Sequence, residues 1–185
     1  MGSNANYIFS KRKPLNYNEL IILGIDPGYA IVGYGVVKKE NGNIEPIACG
    51  TIETPPHESV PVRLAMIDEQ MQKVMAKYKP DVVAVEELFF NTNVTTGIKV
   101  AQARGVILLN AIKECGSLYE YTPLQVKLAL TGNGRAEKHQ VQYMVKAVLG
   151  LDKIPKPDDA ADALAVAVCH AQTDNSVHNF KRVLN

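Results

Sequence analysis

Apolar residues fall along this chain in two rhythms, and the places where one gives way to the other mark out the elements. Leu20 to Ile25 is an unbroken, largely β-branched apolar run stopped by Asp26, Pro27 and Gly28, the pattern of a central strand buried on both faces. Tyr34 to Val37 and Ile44 to Ile52 predict two further strands, and Asn41–Gly42 between them is a strong hairpin signal. Pro55 and Pro56 break the chain, after which Leu64, Ile67, Met71, Val74 and Tyr78 recur at helical spacing. Asp81 to Val85 is a second buried run, ending in Glu86 and Glu87, and a right-handed crossover through the preceding helix lays it parallel to the first strand. A helix near Thr95 to Glu114, a strand near Leu118 to Thr122, a short helix after Pro123, a helix over about Ala136 to Leu149 and a last one from about Asp158 to Gln172 complete the order. The fold class is therefore α/β: a mixed five-stranded sheet, three antiparallel strands and then two parallel ones, with helices on both faces.

Composition narrows the class. The chain has 185 residues, 46% of them apolar, enough for one core and incompatible with general disorder. The pattern divides it into a loose leader over 1–19 whose first residues read as a cloning remnant, a domain over 20–172 and a tail over 173–185. No apolar run reaches the ~18 residues a bilayer span needs, and the N-terminus lacks the features of a signal peptide, so a cytoplasmic location is expected. Cys49, Cys115 and Cys169 form no metal-ligand spacing and read as reduced, mostly buried small hydrophobes. The formal net charge of +1 advertises no polyanionic partner by itself. Its distribution does more: from Asn91 to Lys146 there are seven basic residues against three acidic ones, enough for a phosphate-tracking surface.

The chemistry lies in acids that look misplaced. A carboxylate is costly in apolar surroundings unless something compensates it, and both Asp26 and Glu86 terminate near-continuous hydrophobic strands. If those strands are parallel neighbours, the two acids share one rim at the strand ends where open α/β sheets place ligands. Taken singly, Asp26 reads equally well as the start of an Asx-Pro-Gly turn, and Glu86 as a residue emerging into solvent. Asp159 and Asp162 sit three apart on one face of a helix that is otherwise Ala, Leu and Val, and they read either as caps of its first turn or as acids carried to the sheet edge. Four such carboxylates repel one another unless a divalent cation sits among them, and hard oxygen ligands suit Mg²⁺ or Mn²⁺. The joint pattern predicts a phosphoryl-transfer nuclease of the two-metal type.

Five ordered segments carry a family resemblance: LGIDPG at Leu23 to Gly28, VEELFF at Val85 to Phe90, GIKVAQARGV at Gly97 to Val106, AEKHQVQYMV at Ala136 to Val145, and DAADALAVA at Asp159 to Ala167. Together, over roughly residues 20–172, the chain resembles the RuvC family of bacterial Holliday-junction resolvases. The resemblance implies an RNase H-like fold, a homodimer, and paired symmetric nicking of four-way junction DNA that leaves 5′-phosphate and 3′-hydroxyl ends. It implies two Mg²⁺ per site, with Mn²⁺ able to substitute, and a functional link to the RuvA–RuvB branch-migration complex. It places the catalytic and metal-binding acids at Asp26, Glu86, Asp159 and Asp162, with Asp158 competing with Asp159 for its place. For such a site we expect Asp26 to bridge both ions, Glu86 to hold the ion near the attacking water, and Asp159 with Asp162 to complete the opposite side. Phe89 matches a junction wedge, Lys127 and Lys138 match backbone-contacting positions, and Arg104 is counted with them as a DNA contact. His139 could contact phosphate but is given no role, and Arg135 stands where relatives are expected to be small or polar.

Three other readings compete. A related RNase H-like nuclease acting on ribosomal RNA precursors differs in substrate. An actin-like or sugar-kinase ATPase could use Asp26, Gly28 and Gly33 as a phosphate loop, but needs a second lobe and a longer chain, and GxxxxGK[ST] is absent. A catalytically silent junction-binding dimer leaves the four acids without a use.

Overall fold

The hairpin that starts the sheet is set by two residues. The computed structural model describes residues 15–87 and 94–173, apart from the side chains of 94 and 95. Asn41 and Gly42 both take positive φ, 51° and 88°, the left-handed pair of a type I′ turn whose twist matches its strands. They join β2 (Ile31–Glu40) to β3 (Asn43–Glu53), and β2 in turn runs antiparallel to β1 (Glu19–Asp26). β3 is an edge strand, where Pro46 is tolerated beside a register shift opposite Val36 and Val37. Helix α1 (Val60–Tyr78) crosses over to β4 (Val82–Glu86), and α2 (Val94–Glu114) to β5 (Leu118–Tyr121); both strands run parallel, giving the order β3-β2-β1-β4-β5. The expected sheet is the one found. Three helices follow: α3 (Pro123–Thr131), α4 (Lys138–Val148) and α5 (Asp158–Gln172).

Each face of the sheet has its own core. Leu23, Ile25, Val83 and Val85 pack with Ile67, Met71, Ala103 and Ile107 of α1 and α2. Leu20, Ile22, Val82 and Ala84 pack with the α3–α5 layer. Because strand side chains alternate between faces, Asp26 and Glu86 continue the second set and point toward α5. Asp81 fixes the register that makes them neighbours: its N–H donates to Ile21 O at 2.8 Å, and its Oδ2 accepts from Ile21 N–H at 2.9 Å.

Helix α5 approaches the sheet more closely than side chains ordinarily allow. Gly24 and Gly35 are register partners on β1 and β2. A Cβ on Gly24 would stand 2.2 Å from Ala163 O, and one on Gly35 would stand 2.7 Å from Leu164 N. Glycine inside a strand marks such an approach, and here it forms a trench for the Ala-rich helix.

Two details depart from the sequence expectations. Leu15 packs against the α5-side core and Glu19 is already in β1, so residues 15–19 take part in the fold. Of the three free cysteines only Cys169 is buried; Cys49 is exposed on the edge strand and Cys115 half-buried. Among the described residues no helix is long and apolar enough to cross a membrane.

At the far end of α5, His170 is 5% exposed and its Nδ1 lies 2.6 Å from Tyr121 Oη. Burial, with a smaller effect of Lys39, lowers the imidazole from 6.5 to about 4, so near neutrality it is uncharged and shares a hydrogen bond with the phenol. The folded-state value lies below the unfolded one, so the unfolded chain gains a proton first on acidification. Stability should therefore fall between about pH 6.5 and pH 4 by roughly 3 kcal/mol from this group, and urea titrations of His170→Gln should lack that component. For the trench, Gly35→Val is expected to destabilise the fold by about 3 kcal/mol or more in the same assay, because backbone rather than a flexible side chain blocks the added carbons.

Candidate active site

Strand alternation and register bring the first two acids together. Gly24 pairs with Ala84 and Ile25 with Val85, so Asp26 and Glu86 close adjacent parallel strands on one face. The helix supplies the other two. Gly33 is the register partner of Asp26, and a Cβ there would stand 2.0 Å from Asp159 O. The first turn of α5 thus rests on the strand position beside Asp26, and Asp162 follows three residues along the same helix. All four sequence-predicted acids meet at one rim of the sheet.

Their titration reflects that crowding. Asp26 is pushed up from 3.8 to about 7, first by burial, then by the charges of Asp162 and Asp159, with Lys138 pulling the other way. Glu86 is pushed up from 4.5 to about 7, again first by burial and then by Asp26 and Asp162, against Lys127 and Lys138. Lys138 Nζ lies 2.7 Å from Asp162 Oδ2. Burial works against the ammonium charge, but the hydrogen bond and charge of Asp162 outweigh it and raise the lysine's pKa.

Asp158 has different company. Its carboxylate is bonded to Lys156 at 2.6 Å and lies 3.7 Å from Lys138, and the Lys156 hydrogen bond lowers its pKa. The helix therefore turns Asp159 toward Asp26 and Asp158 toward the lysines.

The donor set fits a divalent cation. It consists of hard carboxylate oxygens, its two strand acids resist ionisation together, and the positive groups that reach them are the ammonium ions of Lys127 and Lys138. Among the described residues no three acidic, imidazole or thiol side chains stand close enough to hold an ion as they are. The lysine beside Asp162 occupies part of the role a cation would take.

The expected DNA contacts divide. Lys127 and Lys138 flank the acids from α3 and from the start of α4. Arg104 does not join them: it is on α2, across the sheet, ion-paired with Glu120 of β5 and largely buried. Glu87, which follows Glu86 at the end of β4, donates its N–H to Tyr121 O and acts electrostatically on Arg104. Phe89 lies outside the described residues. His139 is exposed, 3.3 Å from Glu137, and the exposed Arg135 donates its N–H to Asn133 Oδ1. Sequence reasoning missed Asp81 and the glycine trench. Glycines interrupting otherwise apolar strands were the available signal.

Comparison with known proteins converges on one family. Residues 22–170 match the family model described as "Crossover junction endodeoxyribonuclease RuvC", a span that includes all four acids of the rim. A relative of that name from Alkaliphilus oremlandii is 52% identical over 162 residues, covering 88% of this chain and 99% of the relative. One from Brevibacillus brevis is 56% identical over 151 residues, covering 82% and 91%. The structure described as "T. thermophilus RuvC in complex with Holliday junction substrate" superposes with a TM-score of 0.74 at 36% identity, covering 82% of this chain and 92% of that one. The sheet order, the four acids at its rim and identity over nearly the full length of these relatives lead to one statement: the chain belongs to the RuvC family, the crossover junction endodeoxyribonucleases.

Proposed function

We propose that this protein resolves four-way DNA junctions in the cytoplasm by metal-assisted hydrolysis of one phosphodiester per subunit, with Asp26, Glu86, Asp159 and Asp162 holding two Mg²⁺, for which Mn²⁺ can substitute. The observation that carries the reading is the shared rim itself, where burial and mutual repulsion push two strand-end carboxylates up to about 7. When bound, the ions supply Lewis acidity, activating water and neutralising charge on the leaving oxygen. The protein's own side chains position and screen. Asp26 and Glu86 are fixed by the β1–β4 register, and Asp159 and Asp162 by the seat of α5. Lys127 and Lys138 stand beside the acids, where their ammonium groups can pair with backbone phosphate. Attack by water on phosphorus with departure of the 3′ oxygen leaves a 5′-phosphate and a 3′-hydroxyl. Phe89 is assigned the wedge, and the RuvA–RuvB branch-migration complex supplies the functional link.

The reading includes a homodimer, because symmetric paired nicks need two sites. Helix α2 supports it with an exposed stripe of Ile98, Ala101, Gly105 and Leu109, in which Ile98 is 55% and Leu109 50% exposed. Nothing stands within 4 Å of a Cβ placed on Gly105, so a second copy of the helix can cross closely there. Leu109→Glu is expected to convert a dimer to monomer in light scattering; a wild-type protein that stays monomeric up to tens of micromolar would remove this part of the reading.

Asp26→Asn should nick a synthetic junction in Mg²⁺ at least about 100-fold more slowly while binding it within a few-fold of wild type, because its charge serves cations and not DNA. Near-normal nicking by this variant would refute the assignment. A digest of structured RNA alongside the junction separates the ribosomal-RNA alternative. The same variant has a stability signature. An acid whose folded pKa exceeds its unfolded value opposes folding as pH rises through about 4 to 7 and not below. Without divalent metal, Asp26→Asn should therefore unfold at higher urea than wild type at pH 8, by up to about 4 kcal/mol, and about equally at pH 4. Mg²⁺ should narrow the gap by stabilising wild type.

A further inference from the structure

Behind the rim is a buried cation that the reaction as described does not use. Arg63, near the start of α1, is 7% exposed. Its Nε donates to Thr54 Oγ1 at 2.8 Å, and its Nη2 to Thr54 O at 3.3 Å and Tyr29 O at 3.4 Å. The guanidinium carbon stands 3.9 Å from the centre of the Tyr29 ring. Among the described residues it has no carboxylate within 4.0 Å, and it sits in the first turns of a helix, where the dipole disfavours positive charge. An apolar side chain of the same length would fill the volume without that electrostatic cost.

What Arg63 grips is the turn that leaves Asp26. Thr54 Oγ1 accepts from Arg63 and donates to Tyr29 O at 2.9 Å, while Thr54 N–H donates to Ala30 O at 3.0 Å. The turn between Asp26 and Tyr29 is already narrow, since a Cβ on Gly28 would stand 1.8 Å from Ile31 O. Its carbonyls are thus held from one side by the end of β3 and from the other by α1. On α2, Lys99 Nζ lies 5.8 Å from the centre of the same Tyr29 ring.

We propose that Arg63 is a positioning residue, acting with Thr54 to hold the Pro27–Ala30 turn so that Asp26 presents its carboxylate to the divalent ions in one fixed orientation. This rests on the functional reading above. A residue that orients a metal ligand typically affects metal affinity or activity 10- to 100-fold, whereas one that only stabilises the fold changes the folded fraction.

The test uses Arg63→Lys, which keeps charge but cannot present the planar fork, and Thr54→Val, which removes only the bridging hydroxyl. For each, the Mg²⁺ concentration giving half-maximal nicking is measured, together with the Mg²⁺ dependence of the thermal midpoint and the affinity for a synthetic junction without divalent metal. Both variants are expected to raise the required Mg²⁺ about tenfold in the nicking and thermal readouts while junction affinity stays within about twofold. The double variant should be no worse than the more impaired single one. Variants that are folded at the assay temperature yet respond to Mg²⁺ as wild type does would overturn the proposal. So would losses that track folded fraction alone. Should Arg63→Lys not fold, Thr54→Val decides by the same criteria. A wild-type protein that binds Mg²⁺ in the thermal readout but does not nick junctions would instead defeat the functional reading, and the thermal comparison would still decide the role of Arg63.

Discussion

How near a helix can lie to a sheet governs this molecule. Most helices rest on strands through two layers of side chains, and the width of that layer separates their ends from the strand ends. Here the layer is missing along one line: Ala163 and Ala167 lie over Gly24, Leu164 over Gly35, and Asp159 over Gly33. The contact is largely backbone against backbone, so α5 has little freedom to slide without a clash. Its first turn is consequently placed at the end of β1, where Asp26 stands. The same seat that buries the alanines of α5 also determines the spacing of its acids from those of the sheet.

That placement is costly, and the surrounding structure limits the cost without removing it. Asp159 lies in the first turn of α5, where the helix dipole favours an anion, and Lys138 contributes an ammonium group from the start of α4. Asp26 and Glu86, set deeper on the strands, receive less of this compensation, and burial is the first cause of their raised pKa values. The rim is therefore destabilised where the apolar sheet meets it and better compensated where the helices meet it. A fold of this kind concentrates an electrostatic cost at one edge of its sheet and offsets it with a well-packed interior on both faces.

Much of this was legible in the sequence because burial and chemistry conflicted in single residues. Asp26 and Glu86 end apolar runs that otherwise predict strands, and Asp159 and Asp162 open a helix too apolar to face water, so each announced itself locally. The parallel pairing of β1 and β4 followed from the length of the crossover. What stayed hidden depends on facing. Arg104 is one of seven basics counted along a segment, and counting cannot tell that its side of α2 meets Glu120 across the sheet from the acids. Cys49 looked like a core residue in an apolar strand, but β3 is an edge with an exposed face. Asp81 read as the first residue of a strand, whereas its side chain and backbone together lock β4 to β1 at Ile21.

The near-zero net charge takes on a definite meaning once the acids are located. A protein that grips a polyanion would ordinarily carry a broad positive field, yet a rim of four carboxylates repels phosphate at the place proposed for the chemistry. The conflict is confined by geometry. Lys127 acts on Glu86 from α3 and Lys138 binds Asp162 from α4, so both positive groups stand at the border of the negative site instead of on a distant surface. Near-neutral overall charge is then the sum of two adjoining and opposed features. The lysine–aspartate contact at 2.7 Å joins them, because the ammonium that screens the acids belongs to the positive border as well.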